Sequence, residues 1–287
     1  MKAVIIGGTV SAMEAAIHLR EGGYDVTLAV SSTFLGEDFT GTWKYFPTEK
    51  QPDGKARLSK LLPEYLSNEA EILLNGRLKK QFLHVMDSAG VSVFFMTRAA
   101  GVKSKNGRIT HVLLADKLGS FFAPCDLLID GTLHYELSHF LSGLPMLIKA
   151  GSCARLMLEY MDMTCLPGAP ENGQWRCLRG AASEGHAYLI AEQTFQNDVS
   201  PEEARRQLVK TLIAASESIK RDPRCENAHL INTISPMLCA EIAPPSEKPY
   251  ENLFLPDELL QTSPMPVLRS LPWRRIPSWK AASWRCS

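Results

Sequence analysis

Gly7, Thr9 and Ala12 stand at the spacing G-x-G-x-x-G/A. In that pattern a tight turn, a close backbone approach and a small helix–strand contact together receive the pyrophosphate of a dinucleotide. Gly7 and Ala12 suit the first and third roles, and Gly8 and Ser11 complete the candidate cradle. Thr9 holds the second role, where its Cβ is expected to crowd a phosphate oxygen. Its hydroxyl offers a hydrogen bond in exchange, and a helix start still favours an anion there. The strand ending at Val30 should close on an acid for the ribose hydroxyls, but Val30 is followed by Ser31 and Ser32. A serine makes a weaker, neutral hydrogen bond, so the expected effect is reduced grip.

Other chemistry-bearing residues carry two readings each. His134, Tyr135, Glu136 and His139 suit acid–base work near neutrality, or simply a solvated loop and helix start. His186 and Tyr188 lie two residues apart and so face one side of a strand, lining either a cavity or a structural surface. Cys153, Cys165 and Cys177 recur every twelve residues, whereas zinc sites use close ligand pairs, so no metal site is expected. The seven cysteines contain no C-x-x-C pair and suggest no disulfide framework.

These residues must be positioned by elements that the pattern predicts. Residues 2–6 form a β-branched run ending in Gly7-Gly8. A helix follows over 11–21, with Ala12, Ala15, Ala16 and Leu19 on one face, and a strand over 25–30. Such a unit implies parallel strands joined by a crossover helix. A helix is predicted over 77–88, ended by Gly90, then a strand over 91–97. Three strands over 99–104, 108–115 and 120–123 form a meander, with Asn106-Gly107 as a hairpin signal. Leu127-Leu128-Ile129 is a further apolar strand, leading into Asp130-Gly131-Thr132. Beyond about 135 the pattern weakens. Residues 184–195 partly alternate as a half-buried strand, and Ser200-Pro201-Glu202-Glu203 starts a helix that runs to about Arg221. All 19 glycines lie at or before Gly185 and ten of 18 prolines at or after Pro223, so the last third is a different kind of segment.

Lys+Arg and Asp+Glu balance at 31 each, which gives no electrostatic reason to expect nucleic acid or an anionic membrane as partner. The first apolar run is too short for a signal peptide and no stretch reaches the roughly 18 apolar residues of a spanning helix. A cytoplasmic protein is expected. The stretch 268–287 carries Arg269, Arg274, Arg275, Lys280 and Arg285 among Trp273, Trp279 and Trp284. It reads as a disordered tail, or as a patch for a membrane surface or nucleic acid.

The order of these pieces resembles the FAD-dependent oxidoreductases of glutathione-reductase-like fold. The resemblance rests on the strand–turn–helix start, the segment Phe34-Leu35-Gly36-Glu37-Asp38-Phe39-Thr40-Gly41-Thr42-Trp43, the meander and Leu128-Ile129-Asp130-Gly131-Thr132. It covers residues 1–135 well and 185–255 loosely. It implies FAD as cofactor, with the loop 35–42 near the pyrophosphate and ribityl chain. There Gly36 and Gly41 would permit close approach, and Asp38, Thr40 and Thr42 would contact the cofactor. It also places the backbone at Arg98-Ala99 against the adenine and Gly131-Thr132 beside the cofactor. The family's second glycine-containing segment near the C-terminus is not expected in its usual form, since no residue after 185 is glycine.

The expectation is an α/β fold in which a Rossmann-like parallel sheet is covered by a β-meander and joined to a less regular second region. Residues 1–135 would bind FAD, 136–260 would form a substrate or cap region, and 261–287 a basic, Trp-rich tail. The implied activity is hydride transfer between a small-molecule substrate and the flavin, with no residue named as catalytic. The alternative is a truncated or non-catalytic remnant, or a subunit, that holds FAD weakly or not at all. A homo-oligomer or a partner subunit stays open.

Overall fold

β1 (Lys2–Ile6), β2 (Asp25–Val30), β3 (Ser92–Phe95), β7 (Leu127–Asp130) and β12 (Leu253–Phe254) make one parallel sheet in the order β12-β7-β1-β2-β3. This computed structural model describes residues 1–38, 75–167, 173–179, 185–239 and 242–262. β1 alternates its side chains between two cores, as period-2 geometry requires. Ala3 and Ile5 face α1 (Val10–Glu21) and α2 (Asn75–Ser88), while Val4 and Ile6 face the opposite side. That second side is covered by the antiparallel meander β4 (Arg98–Lys105), β5 (Arg108–Asp116) and β6 (Gly119–Pro124), through Ile109, Val112, Leu114 and Ala123. Two helices, a parallel sheet and a meander thus form three layers, as the sequence predicts.

The hairpin signal at Asn106-Gly107 is met by backbone angles φ of 52° and 75°. Both are positive, as the turn type matched to strand twist demands. The second unit is an antiparallel sheet in the order β11-β8-β10-β9, made of β8 (Cys153–Met161), β9 (Trp175–Arg179), β10 (Ala187–Thr194) and β11 (His229–Cys239). α4 (Pro201–Arg221) lies on it, with Ala204, Leu208, Leu212, Ala215 and Ile219 recurring at helical spacing in the shared core. Ser200 caps α4, its side chain accepting the Glu203 N–H at 3.2 Å.

β7 leads into a short α3 (Glu136–Ser142), and β12 into α5 (Pro256–Thr262). α5 sets Leu259 against the α1 core. The segment 253–262, which the sequence reading divides between the second region and the start of the tail, therefore returns to the first sheet. Asn252 makes that return, although it is only 2% exposed. Its Oδ1 accepts from Ile109 N at 2.8 Å and its Nδ2 donates to the carbonyls of Ile109 and Asp126, each at 2.9 Å. One side-chain amide thereby joins the meander to the sheet edge. No described helix is long and apolar enough to cross a membrane, which says nothing of strands.

Candidate functional site

Strand order reverses at β1, with β2 on one side and β7 on the other. In open α/β sheets ligands bind in the crevice outside the carboxyl ends of the strands at such a point. Gly7, Ser31 and Gly131 each follow directly on the end of a strand there. Gly7 adopts φ of 103°, and a Cβ on it would fall on the carbonyl of Gly131. A Cβ on Gly131 would in turn strike Ala12. The small residue at the third motif position is therefore needed where α1 crosses the end of β7.

The Thr9 hydroxyl, which the sequence offers to a phosphate, is committed to the fold instead. The side chain is turned inward and the residue is only 7% exposed. Oγ1 donates to the Gly131 carbonyl at 2.9 Å and accepts the Ala12 N–H at 3.3 Å, capping α1 and fastening it to β7. Val30 is fully buried and packs over Gly8, where a Cβ would meet its Cγ1 at 2.8 Å. Gly36 has φ of 72°, and a Cβ there would run into the ring of Phe82 on α2. Its N–H bonds the Gly8 carbonyl at 2.6 Å. Packing against α2 thus demands a glycine here.

A cavity of about 690 Å³ opens beside the turn, lined among others by Gly7, Ser31, Glu37, Arg98, Ala99 and Thr132, with Arg205 reaching it from α4. A smaller one of about 180 Å³ is lined by Thr9, Ser11, Asp38, Asp130, Gly131 and Thr132. Of the predicted residues, Gly7, Ser31, Ala99 and Thr132 meet on the larger wall, and Thr9, Ser11, Asp38 and Gly131 on the smaller. Gly8, Ala12 and Gly36 line neither, and Thr40, Gly41 and Thr42 lie outside the described residues.

Asp130 is fully buried at the hinge of the site. Oδ1 accepts from Thr132 N at 3.1 Å and Thr132 Oγ1 at 2.6 Å, and Oδ2 accepts from Ser138 N at 2.7 Å, fixing the β7–α3 turn. Glu136 and Tyr135 follow on this turn. Desolvation in the cavity wall holds the Glu136 carboxyl above its ordinary range, aided by Glu37 and Asp130 and opposed by Arg98. The Tyr135 phenol is raised too, first by burial, then by Asp257 and Asp130. His139 instead faces the carbonyl of Ala243 at 3.0 Å from Nε2.

Two partners went unsignalled in the sequence, Glu159 and Cys225. His186 and Glu159 form a buried pair at 2.7 Å on the sheet face opposite α4, beside Tyr188 with ring centroids 4.8 Å apart. Cys165 stands not with Cys153 but against Cys225, with Sγ atoms 3.0 Å apart and Asp222 close by. Asp222 itself holds the Arg224 guanidinium at 2.7 Å, so its charge is already matched.

A family model described as FAD dependent oxidoreductase matches residues 3–218. The chain belongs to this family. FAD is the cofactor that membership assigns, and the role it gives is flavin-dependent redox chemistry. No curated protein matches the chain. Among solved structures it resembles a geranylgeranyl bacteriochlorophyll reductase-like protein from Thermoplasma acidophilum, at 12% identity and a TM-score of 0.56, covering 88% of this chain and 70% of that one. It also resembles CabE, an aromatic hydroxylase from angucycline biosynthesis, at 10% identity and TM-score 0.52, covering 88% and 55%. The p-nitrophenol 4-monooxygenase PnpA from Pseudomonas putida DLL-E4 compares at 11%, 0.51, 88% and 71%. At these identities the likeness is one of fold.

The cradle fits FAD in shape. The Gly7 turn runs close over the end of β7, α1 points its N-terminus at the crevice, and the larger cavity falls within the usual range of about 300–1,000 Å³ for ligand sites. Where the fit is tight is in charge, because carboxylates of Glu37 and Asp38 lie at the same helix end.

Proposed function

We propose that this oxidoreductase passes a hydride between a small-molecule substrate and FAD seated along the β1–α1 turn. The observation that carries the reading is that Gly7, Ser31, Ala99 and Thr132, from four separate segments, converge on one cavity at the carboxyl ends of the parallel strands. In this reading Gly7, Gly8, Thr9, Ser11 and Ala12 form the turn beneath the pyrophosphate. Ser31 and Ala99 serve the adenosine end, and Gly131 and Thr132 close the opposite wall. The loop with Gly36, Asp38, Thr40, Gly41 and Thr42 leads toward the flavin end.

When bound, FAD supplies the two-electron redox chemistry. The chain's own residues bind and orient it. Arg98 and Arg205 bring positive charge to an otherwise acidic wall, and Glu136, raised as it is, can hold a proton closer to neutrality than an ordinary carboxylate. Residues 136–260 contribute the substrate side, chiefly through the sheet β8–β11. No catalytic residue is assigned. Free thiols at Cys125, Cys153, Cys165, Cys177 and Cys225 support a cytoplasmic setting. Balanced charge supports a small-molecule partner over nucleic acid or a membrane.

The test is a visible spectrum of the purified protein after reconstitution with FAD. Bound-flavin absorbance that bleaches under anaerobic reductant supports the reading. A protein that stays colourless at millimolar FAD while retaining its folded circular dichroism overturns it.

A further inference from the structure

The N-terminus of α1 already has an anion on it, supplied by the chain. Asp38 Oδ1 accepts the Val10 N–H at 3.0 Å, and Glu37 Oε2 takes the Gly8 N–H at 3.4 Å. The Ala12 N–H is taken by Thr9 Oγ1. These backbone donors are the groups that a diphosphate would use at a helix start. We propose that Glu37 and Asp38 occupy the place of the pyrophosphate, so that FAD loads by displacing their carboxylates and is held more weakly than the cradle alone would hold it.

Three observations support this. Glu37 and Asp38 line the two cavities flanking the turn, so their carboxylates sit at the crevice, not behind it. The charged residues lining the smaller cavity are acids alone, with Asp130 and Asp257 beside Asp38, while in the larger Arg98 and Arg205 balance Glu37 and Glu136. A diphosphate at the turn would therefore add charge to like charge at Asp38 unless that side chain leaves. Finally, Glu37 Oε1 is buried with no hydrogen-bond partner among the described residues. A half-satisfied buried carboxylate is costly to keep in place, which makes Glu37 the side chain that gives way. The proposal rests on the flavin reading and adds that these two acids set its affinity.

The experiment titrates FAD into the full chain and into Glu37→Gln, Asp38→Asn and the double variant, following flavin fluorescence and equilibrium dialysis. Adenosine, which lacks the diphosphate, is the control. Anion–helix terms of this size predict that the double variant binds FAD about tenfold tighter, with adenosine affinity unchanged. Asp38→Ser, which keeps a neutral capping oxygen, should shift in the same direction if Asp38→Asn folds poorly. Equal FAD affinity in all variants overturns the proposal while leaving the flavin reading intact. Weaker binding in the variants also overturns it, since the acids would then hold the cofactor. No binding by any folded variant at millimolar FAD overturns both.

Discussion

Thr9 shows how one side chain can spend a motif position on the fold instead of the ligand. Its hydroxyl caps α1 and ties Gly131 to the turn. Thr9→Val keeps the shape and removes both bonds, and should cost about 1–2 kcal/mol in urea unfolding, whereas Thr9→Ser should be close to neutral. Equal midpoints for the two variants would contradict the capping role. A second residue-scale prediction concerns Glu192 on β10. Desolvation would raise its carboxyl, but the hydrogen bond and charge of Arg155 at 2.9 Å, with Arg176 at 3.6 Å, overcome this and hold it below its ordinary range. Its stabilising contribution is therefore present above the unfolded value near about 4.3 and is lost as pH falls through the lower folded value. Glu192→Gln should be less stable than the parent at pH 7, and the gap should narrow as pH falls below the ordinary carboxylate range, as read from denaturant midpoints across an acid pH series.

At the scale of elements, Asn252 is the joint between meander and sheet. Removing its amide leaves the Ile109 N–H and the Ile109 and Asp126 carbonyls without their partner. Asn252→Ala should destabilise by about 2–4 kcal/mol, and hydrogen exchange should show protection lost first in β5 and β12. Undiminished protection there would contradict this joint. Elements with local signals were legible in the sequence. The β5 hairpin follows from Asn106-Gly107, and α4 from its Ser-Pro-Glu-Glu start. β8 was not legible because both its faces are covered. Leu156 and Tyr160 meet α4 while Met157 lies in the core of the opposite face, so the alternation disappears. β12 is two residues long and acquires its identity only by pairing with β7.

For the whole molecule, the first sheet is finished by a strand about 120 residues downstream of β7, so flavin binding at the β1–α1 turn should report on the entire fold. A ligand that binds only the native state stabilises by about 2.7 kcal/mol at a hundredfold excess over Kd. FAD should accordingly raise the melting temperature in a concentration-dependent way, and adenosine at equal saturation should do the same. A melting temperature indifferent to FAD up to saturation would speak against a native-state site.

The sequence by itself determined the Rossmann-like start, the meander, the balanced charge and the family likeness. Each of these depends on local spacing or composition. The tertiary structure alone decided which way Thr9 turns, that Gly36 answers to Phe82, and that Glu37 and Asp38 reach back to the start of α1. It also paired Cys165 with Cys225 and brought 253–262 home to the first sheet. These are contacts between residues far apart in the chain or across a turn, set by packing and by the need of buried polar groups for partners. The motif at Gly7, Thr9 and Ala12 was visible from spacing alone, but the charge already standing on it was not.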